Sequence, residues 1–111
     1  MAGVVQIPWY VTVFRGDDFA RAVQEIAPLA LRFGAIEYSV YRSREDAYKF
    51  LQMATFEEKS DFERYWYGEE FSVWRADYSS WYQVPILYTW NDLLVRGGVG
   101  ELEGLTSGSA E

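Results

Sequence analysis

The chain contains neither cysteine nor histidine. Without cysteine it can form no disulfide, thiolate nucleophile or thiolate metal site, and the absence fits a reducing compartment. Without histidine it lacks the usual general base at neutral pH, the commonest metal ligand and the usual proximal ligand of haem iron. No phosphate-cradling glycine loop, Ser-His-Asp set or metal-ligand spacing occurs either, so neither a metal nor a cofactor is expected. Clustered positive charge is also missing. Ten Lys and Arg residues stand singly among 17 acidic ones, for a net charge of −7. Phosphate-backbone binding requires clustered cations, so neither nucleic acid nor an anionic membrane surface is an expected partner. No basic region followed by a long apolar run opens the chain, and no run is long enough to span a membrane. A cytoplasmic location is the expectation.

What the chain has in excess is aromatic. Phe, Trp and Tyr make up 19% of its 111 residues, and half of all residues are apolar. Such a chain folds, and its length suits one domain. So many Tyr and Trp side chains exceed what a small core can fully bury, because each polar tip wants a partner or water. Some of them are expected to line a pocket or an interface.

Residues 4–15 alternate. Val5, Ile7, Trp9, Val11 and Val13 share one face of a strand, and Gln6, Pro8, Tyr10, Thr12 and Phe14 share the other. The first face is aliphatic enough to lie under helices; the second suits a pocket or another sheet. Pro8 implies a stretch unpaired on one side, or a bulge. Gly16, Asp17 and Asp18 supply a turn and an N-cap for a helix carrying Phe19, Val23, Ile26, Ala27, Ala30 and Phe33, with a stop at Gly34 and a kink near Pro28. Two β-rich runs, 35–43 and 48–56, flank a polar tip containing Arg44, Glu45 and Asp46 and read as a hairpin. Ser60 to Glu63 has the form of a capping box opening a second helix, which Gly68 interrupts before about Tyr78. Tyr82 to Trp90 reads as a last strand, placed at an edge by Pro85. Residues 97–111, rich in Gly, Ser and Glu, read as a flexible tail on a domain spanning 1–96.

Strand, helix, hairpin, helix, strand is the ferredoxin-like βαββαβ order: an α+β fold with a four-stranded antiparallel sheet and both helices on one face. The bare aromatic face invites a second copy of the chain. In this order of elements, in the helix text Ser60-Asp61-Phe62-Glu63-Arg64-Tyr65-Trp66 and in Tyr88-Thr89-Trp90, residues 4–96 resemble the dimeric α+β barrel superfamily, particularly its antibiotic-biosynthesis-monooxygenase-like group. The resemblance implies a homodimer packed through the sheet face and a small-molecule pocket. Haem-degrading members use a histidine in the second helix and an asparagine on the first strand. Here Trp74 and Arg75 stand near the first position and the first strand has no asparagine, which disfavours haem degradation. The cofactor-independent oxygenases and small isomerases are the better match, acting on an aromatic or polyketide-like substrate. A non-catalytic metabolite-binding or assembly protein of the same fold is the alternative, favoured by the missing His and Cys. Leu105-Thr106-Ser107-Gly108-Ser109 in the tail faintly resembles the peptides that dock cargo into encapsulin shells, without the following apolar anchor.

Under the enzymatic reading Trp66 forms an apolar wall, Tyr65 donates a hydrogen bond to the substrate, and Asn91 stabilises negative charge on a substrate oxygen. Trp74, Tyr10 and Phe14 complete the expected binding set. Each has a plainer alternative: Trp66 and Trp74 as core, Tyr10 and Phe14 as sheet packing, Asn91 as a chain turn. Glu37, inside a strand pattern, is the carboxylate with the best prospect of partial burial; the plainer alternative is a solvated edge residue.

Overall fold

The structure, a computed structural model, describes residues 2–100. The opening alternation produces β1 (Gly3–Tyr10), with Val5, Ile7 and Trp9 buried and Val4, Gln6 and Pro8 half-buried on the other face. The strand is shorter than its pattern. Val11 continues only as an isolated bridge to Tyr82, and Arg15 N–H then bonds back to the Thr12 carbonyl (3.1 Å), turning the chain away. Phe14 sits in that turn with φ 74°, so it does not share a sheet face with Tyr10.

Helix α1 (Gly16–Ile26) buries Phe19, Ala22, Val23 and Ile26, an i, i+3, i+4, i+7 stripe. Asp17 and Asp18 lie in its first turn, where the helix dipole favours them, and no side chain caps it. At Pro28 the chain tightens into a 3₁₀ segment, Ala27–Phe33, with the proline near its start, where a missing N–H costs little. Gly34 ends it in the left-handed region (φ 96°), the conformation for which glycine is the default.

Strands β2 (Ala35–Arg42) and β3 (Lys49–Phe56) form the expected hairpin. Ser43 Oγ accepts from the N–H groups of Glu45 and Asp46 (3.2 and 3.1 Å) and shapes the tip. Arg42 ties the hairpin to α1, donating to the Ala47 carbonyl and to Asp17 (both 2.9 Å). Helices α2 (Lys59–Tyr67) and α3 (Glu69–Asp77) follow, broken at Gly68. The capping box does not form. The Glu58 carbonyl accepts from Asp61 N–H (3.1 Å), so the helix starts early, Ser60 falls inside its first turn, and no side chain caps it.

The last strand, β4, is Thr89–Asp92 and begins well after Tyr82. Two features displace it. Pro85 has no N–H for a ladder, and Tyr88 packs its ring on Phe62 and Trp66 (4.9 and 5.2 Å between centroids). Within residues 83–88, Ile86 and Tyr88 pack against the buried core, while Val84 and Leu87 are exposed and Gln83 N–H bonds to the Tyr10 carbonyl of β1 (2.8 Å).

The sheet order is β2-β3-β1-β4, antiparallel throughout, with the helices on one face. Strand β4 does lie at an edge, and it pairs only with Gly3–Gln6. Pro8, two residues past that pairing, meets Leu51 of β3 and is unpaired on the β4 side, as its missing N–H requires. No described helix is long and apolar enough to cross a membrane.

Candidate functional site

The layer between sheet and helices is filled by rings. Trp9 on β1 stands at its centre, in contact with Phe19, Trp66, Phe71, Trp74 and Tyr82 at centroid distances of 5.0–6.5 Å. A chain of hydrogen bonds runs through this layer. Trp9 Nε1 donates to Gln52 Oε1 (3.1 Å), Gln52 Nε2 donates to Tyr65 Oη (3.0 Å), and Tyr65 Oη donates to the Ile26 carbonyl (2.6 Å). Burial pushes the Tyr65 hydroxyl well above the usual phenol range, opposed by the Gln52 hydrogen bond and the charge of Arg75. Trp74 Nε1 donates to the Ala22 carbonyl (3.1 Å). Among the described residues no buried side-chain polar atom lacks a partner.

This arrangement scatters the sequence-derived site residues. Tyr65, Trp66 and Trp74 are brought together in the helix–sheet layer, but as packed core. The Tyr65 hydroxyl, expected to reach a substrate, is only 1% exposed and both donates and accepts within the protein. Trp66 is covered by Arg75, whose guanidinium lies 4.0 Å from the ring centroid and donates to the Trp66 carbonyl (2.7 Å). Burial lowers the Arg75 pKa. Asn91 lies within β4 rather than after it, and its amide donates to the Val4 carbonyl (3.0 Å) and to Thr89 Oγ1 (3.2 Å). Tyr10 is on the opposite, open face of the sheet, with the Lys49 ammonium 6.0 Å from its ring centroid. Phe14 is 90% exposed beyond the strand's end.

Concavities of comparable volume lie beside the start of α1 and between α1 and α3, and one lies on the open face of the sheet. The open-face one has a volume of about 560 Å³ and is lined by Val4, Tyr41, Met53, Thr55, Glu37 and Arg96, among others. Its floor comes from alternate positions of the strands: Val4 pairs with Thr55, and Ser39 with Met53. One wall is the segment that follows β4. Leu93 N–H bonds to the Ala2 carbonyl (3.3 Å), and Arg96 reaches across β1 to donate to Thr55 Oγ1 on β3 and Glu37 Oε1 on β2 (both 2.9 Å). Residues 93–97 thus form a strap pinned over the end of the sheet. Thr55 is buried beneath it, and Glu37 stays largely exposed as the ion-pair partner of Arg96.

Chemically the concavity offers an apolar floor, a phenol from Tyr41, a threonine hydroxyl and one charge pair. That set can hold and orient a small molecule. Among the described residues no group of His, Cys, Asp or Glu is placed to hold a metal ion. Sequence reasoning did not single out Val4, Tyr41, Met53, Thr55 or Arg96, which line this concavity. The available signal was the period-two pattern, which puts Val4 on one face with Gln6 and Met53 on one face with Leu51.

No family model matches the sequence, and no curated protein matches it. Solved structures do. A protein from Nitrosomonas europaea named for the antibiotic biosynthesis monooxygenases superposes with a TM-score of 0.77 at 16% identity, covering 87% of this chain and 94% of that one. One of the same description from Bordetella bronchiseptica gives 0.73 at 18% identity, over 85% and 98%. A cofactor-independent oxygenase from Streptomyces nogalater gives 0.73 at 11% identity, over 86% and 95%. At such identities the likeness is one of fold. The chain shares the ferredoxin-like α+β fold of these solved structures.

Proposed function

We propose that this chain is a small-molecule-binding protein that works as a homodimer, taking its ligand in the open-face concavity rather than beneath α2. The observation that carries this reading is the contrast between the two sides of the sheet. One side is closed by rings in contact with every buried polar atom satisfied; the other holds a 560 Å³ concavity with apolar and polar walls. Small-molecule sites fall in the range of roughly 300–1,000 Å³ and pair apolar lining with a few polar groups. Met53 and Val4 would contact an apolar or aromatic ring, and Arg96 with Thr55 would hold a carbonyl, phenolate or carboxylate. The sheet face around them, with Pro8, Leu51 and Tyr41, suits a second copy.

Calorimetric titration with aromatic acids and quinone-like ligands tests the reading. Micromolar binding to the wild type, weakened at least tenfold by Met53→Glu and by Arg96→Met, is the expected result. Binding that survives both substitutions, or no binding to any such ligand, rejects it.

The likeness to a cofactor-independent oxygenase favours a second reading, in which the bound aromatic reacts with oxygen directly and the protein supplies orientation. Oxygen uptake with an electron-rich phenol as substrate, abolished by Met53→Glu, would support it; binding without turnover would leave the first reading in place.

A further inference from the structure

A groove runs between α1 and α3 and shares no residue with the open-face concavity. Trp74 Nε1 closes its floor by donating to the Ala22 carbonyl (3.1 Å). Its main part encloses about 500 Å³, and a smaller part of about 190 Å³ extends it past Tyr78 to Trp81. Rings pave its length: Trp74, Tyr78 and Trp81 follow one another at centroid distances of 5.2 and 4.6 Å. Val73, half exposed, adds an aliphatic surface beside them.

Carboxylates rim these rings. Glu69, Val73 and Asp77 recur at i, i+4 and i+8 on α3, which sets the two acids about 12 Å apart along the axis with Val73 between them, and Glu25 faces them from α1. The other acids of the groove already have cations: Asp18 pairs with Arg15 and Arg21, and Glu70 with Arg32. Among the described residues Glu25, Glu69 and Asp77 pair with no Lys or Arg, and the rest of the chain contains neither.

Carboxylates spaced along an apolar floor suit an occupant that is cationic at intervals and apolar between. A metal ion does not fit, because among the described residues no such acids converge closely enough to hold one. An extended peptide does not fit either, since its backbone N–H and C=O groups need partners and both walls are helices whose own backbone groups are spent internally. A chain of methylenes carrying ammonium groups has no such need. Its methylenes can lie on the rings while its cations reach the carboxylates, and an ammonium over an aromatic face gains a further attraction. Arg15 already uses one end of the groove in this way, with its guanidinium 5.3 Å from the Trp81 ring centroid. The net charge of −7 draws such a cation in.

We infer that the α1–α3 groove binds a linear polyamine, with ammonium groups on Glu25, Glu69 and Asp77 and methylenes on Val73, Trp74 and Tyr78. This site is separate from the ligand site proposed above and does not depend on it.

Spermine is the probe, titrated into the full chain at moderate salt and followed by calorimetry and by proton–nitrogen correlation spectra. Saturable binding with shifts confined to α1, α3 and the Trp81 indole is the expected result. Glu25→Gln/Asp77→Asn should weaken it at least tenfold, and so should Val73→Lys, which sets a cation on the floor. All three side chains are exposed, so both variants should keep the wild-type melting temperature. Glu57→Gln/Glu58→Gln removes the same charge from exposed positions elsewhere and should bind within threefold of wild type. Equal losses in the two acid-pair variants would reduce the effect to net charge and overturn the site, as would shifts spread over the whole acidic surface or no saturable binding. A Lys-bearing amphipathic helical peptide that competes with spermine and binds more tightly would overturn the polyamine assignment in favour of a protein partner.

Discussion

Replacing Tyr65 by phenylalanine separates a core tyrosine from a ligand-binding one. The substitution removes a single oxygen that accepts from Gln52 Nε2 at 3.0 Å and donates to the Ile26 carbonyl at 2.6 Å. Neither partner can turn to water in that layer. A buried polar group left without its partner costs about 1–3 kcal/mol, so the pair should cost about 2–4 kcal/mol. For a domain of this length that lowers Tm on the order of 10–20 °C. Alkaline pH gives an independent reading. Burial raises the folded-state pKa of Tyr65 above its unfolded value of about 10, so its contribution is complete below pH 10. As pH rises past 10 the unfolded chain releases this proton and the folded chain keeps it. Stability then falls by up to about 1.4 kcal/mol per pH unit. Urea unfolding followed by circular dichroism between pH 8 and 11.5 should show that slope in the wild type and a shallower one in Tyr65→Phe. Tyr82 will retain part of it, since burial raises its pKa too. A Tyr65→Phe protein within about 0.5 kcal/mol of wild type at pH 8, with an unchanged alkaline slope, would refute the network.

Phe14→Asn should stabilise the protein by about 1 kcal/mol, because phenylalanine pays about 1–2 kcal/mol for its left-handed backbone while its ring is almost wholly exposed; a lower unfolding midpoint would contradict this. Gly3→Ala should destabilise by about 1–3 kcal/mol, since an added Cβ would overlap the Trp90 indole and push β4 off the sheet edge. Hydrogen exchange should report it as lost protection in β4. Arg96→Met should change Tm little, because an ion pair this exposed is worth less than about 1 kcal/mol, while the affinity of the concavity for an anionic aromatic falls at least tenfold. Equal losses of stability and affinity would instead make Arg96 a structural residue.

The fold was legible because its cues are local. Alternation at Val5, Ile7 and Trp9, the stripe from Phe19 to Ile26, the stop at Gly34 and the break at Gly68 each determine their own element, and together they leave few topologies. The errors came where distant packing overrode a local pattern. Tyr82–Trp90 alternates well enough to be a strand, but Tyr88 gains more on Phe62 and Trp66 than in a ladder that Pro85 has already interrupted. Ser60 has the spelling of a cap and lies inside the helix, because Glu58 starts the turn earlier. For the site, the helical spacing of Trp66 and Trp74 correctly puts both against the sheet. Nothing in that spacing says whether the layer is full, which depends on Trp9 and Phe71 arriving from other elements. The contribution of Arg96 was beyond reach for the same reason: its partners Thr55 and Glu37 are distant in sequence and met only through the register of three strands.

That packing matters for any experiment aimed at the tryptophans. Trp66→Ala would remove an indole in contact with Trp9, Phe62, Phe71 and Tyr88, together with the platform for Arg75. A large-to-small change of this kind costs about 3–5 kcal/mol, a large share of the 5–15 kcal/mol that holds a typical domain together. Loss of ligand binding in such a variant would follow from partial unfolding wherever the ligand sits. Met53→Glu discriminates, because Met53 faces the open side with Ser39 as its partner across β2 and β3, and no ring of the helix layer leans on it. A Met53→Glu protein that melts within a few degrees of wild type yet fails to bind places the ligand on the open face. One that binds normally, alongside a folded Trp66→Phe that does not, returns the site to the helix side and shows that the ring-filled layer opens to admit a guest.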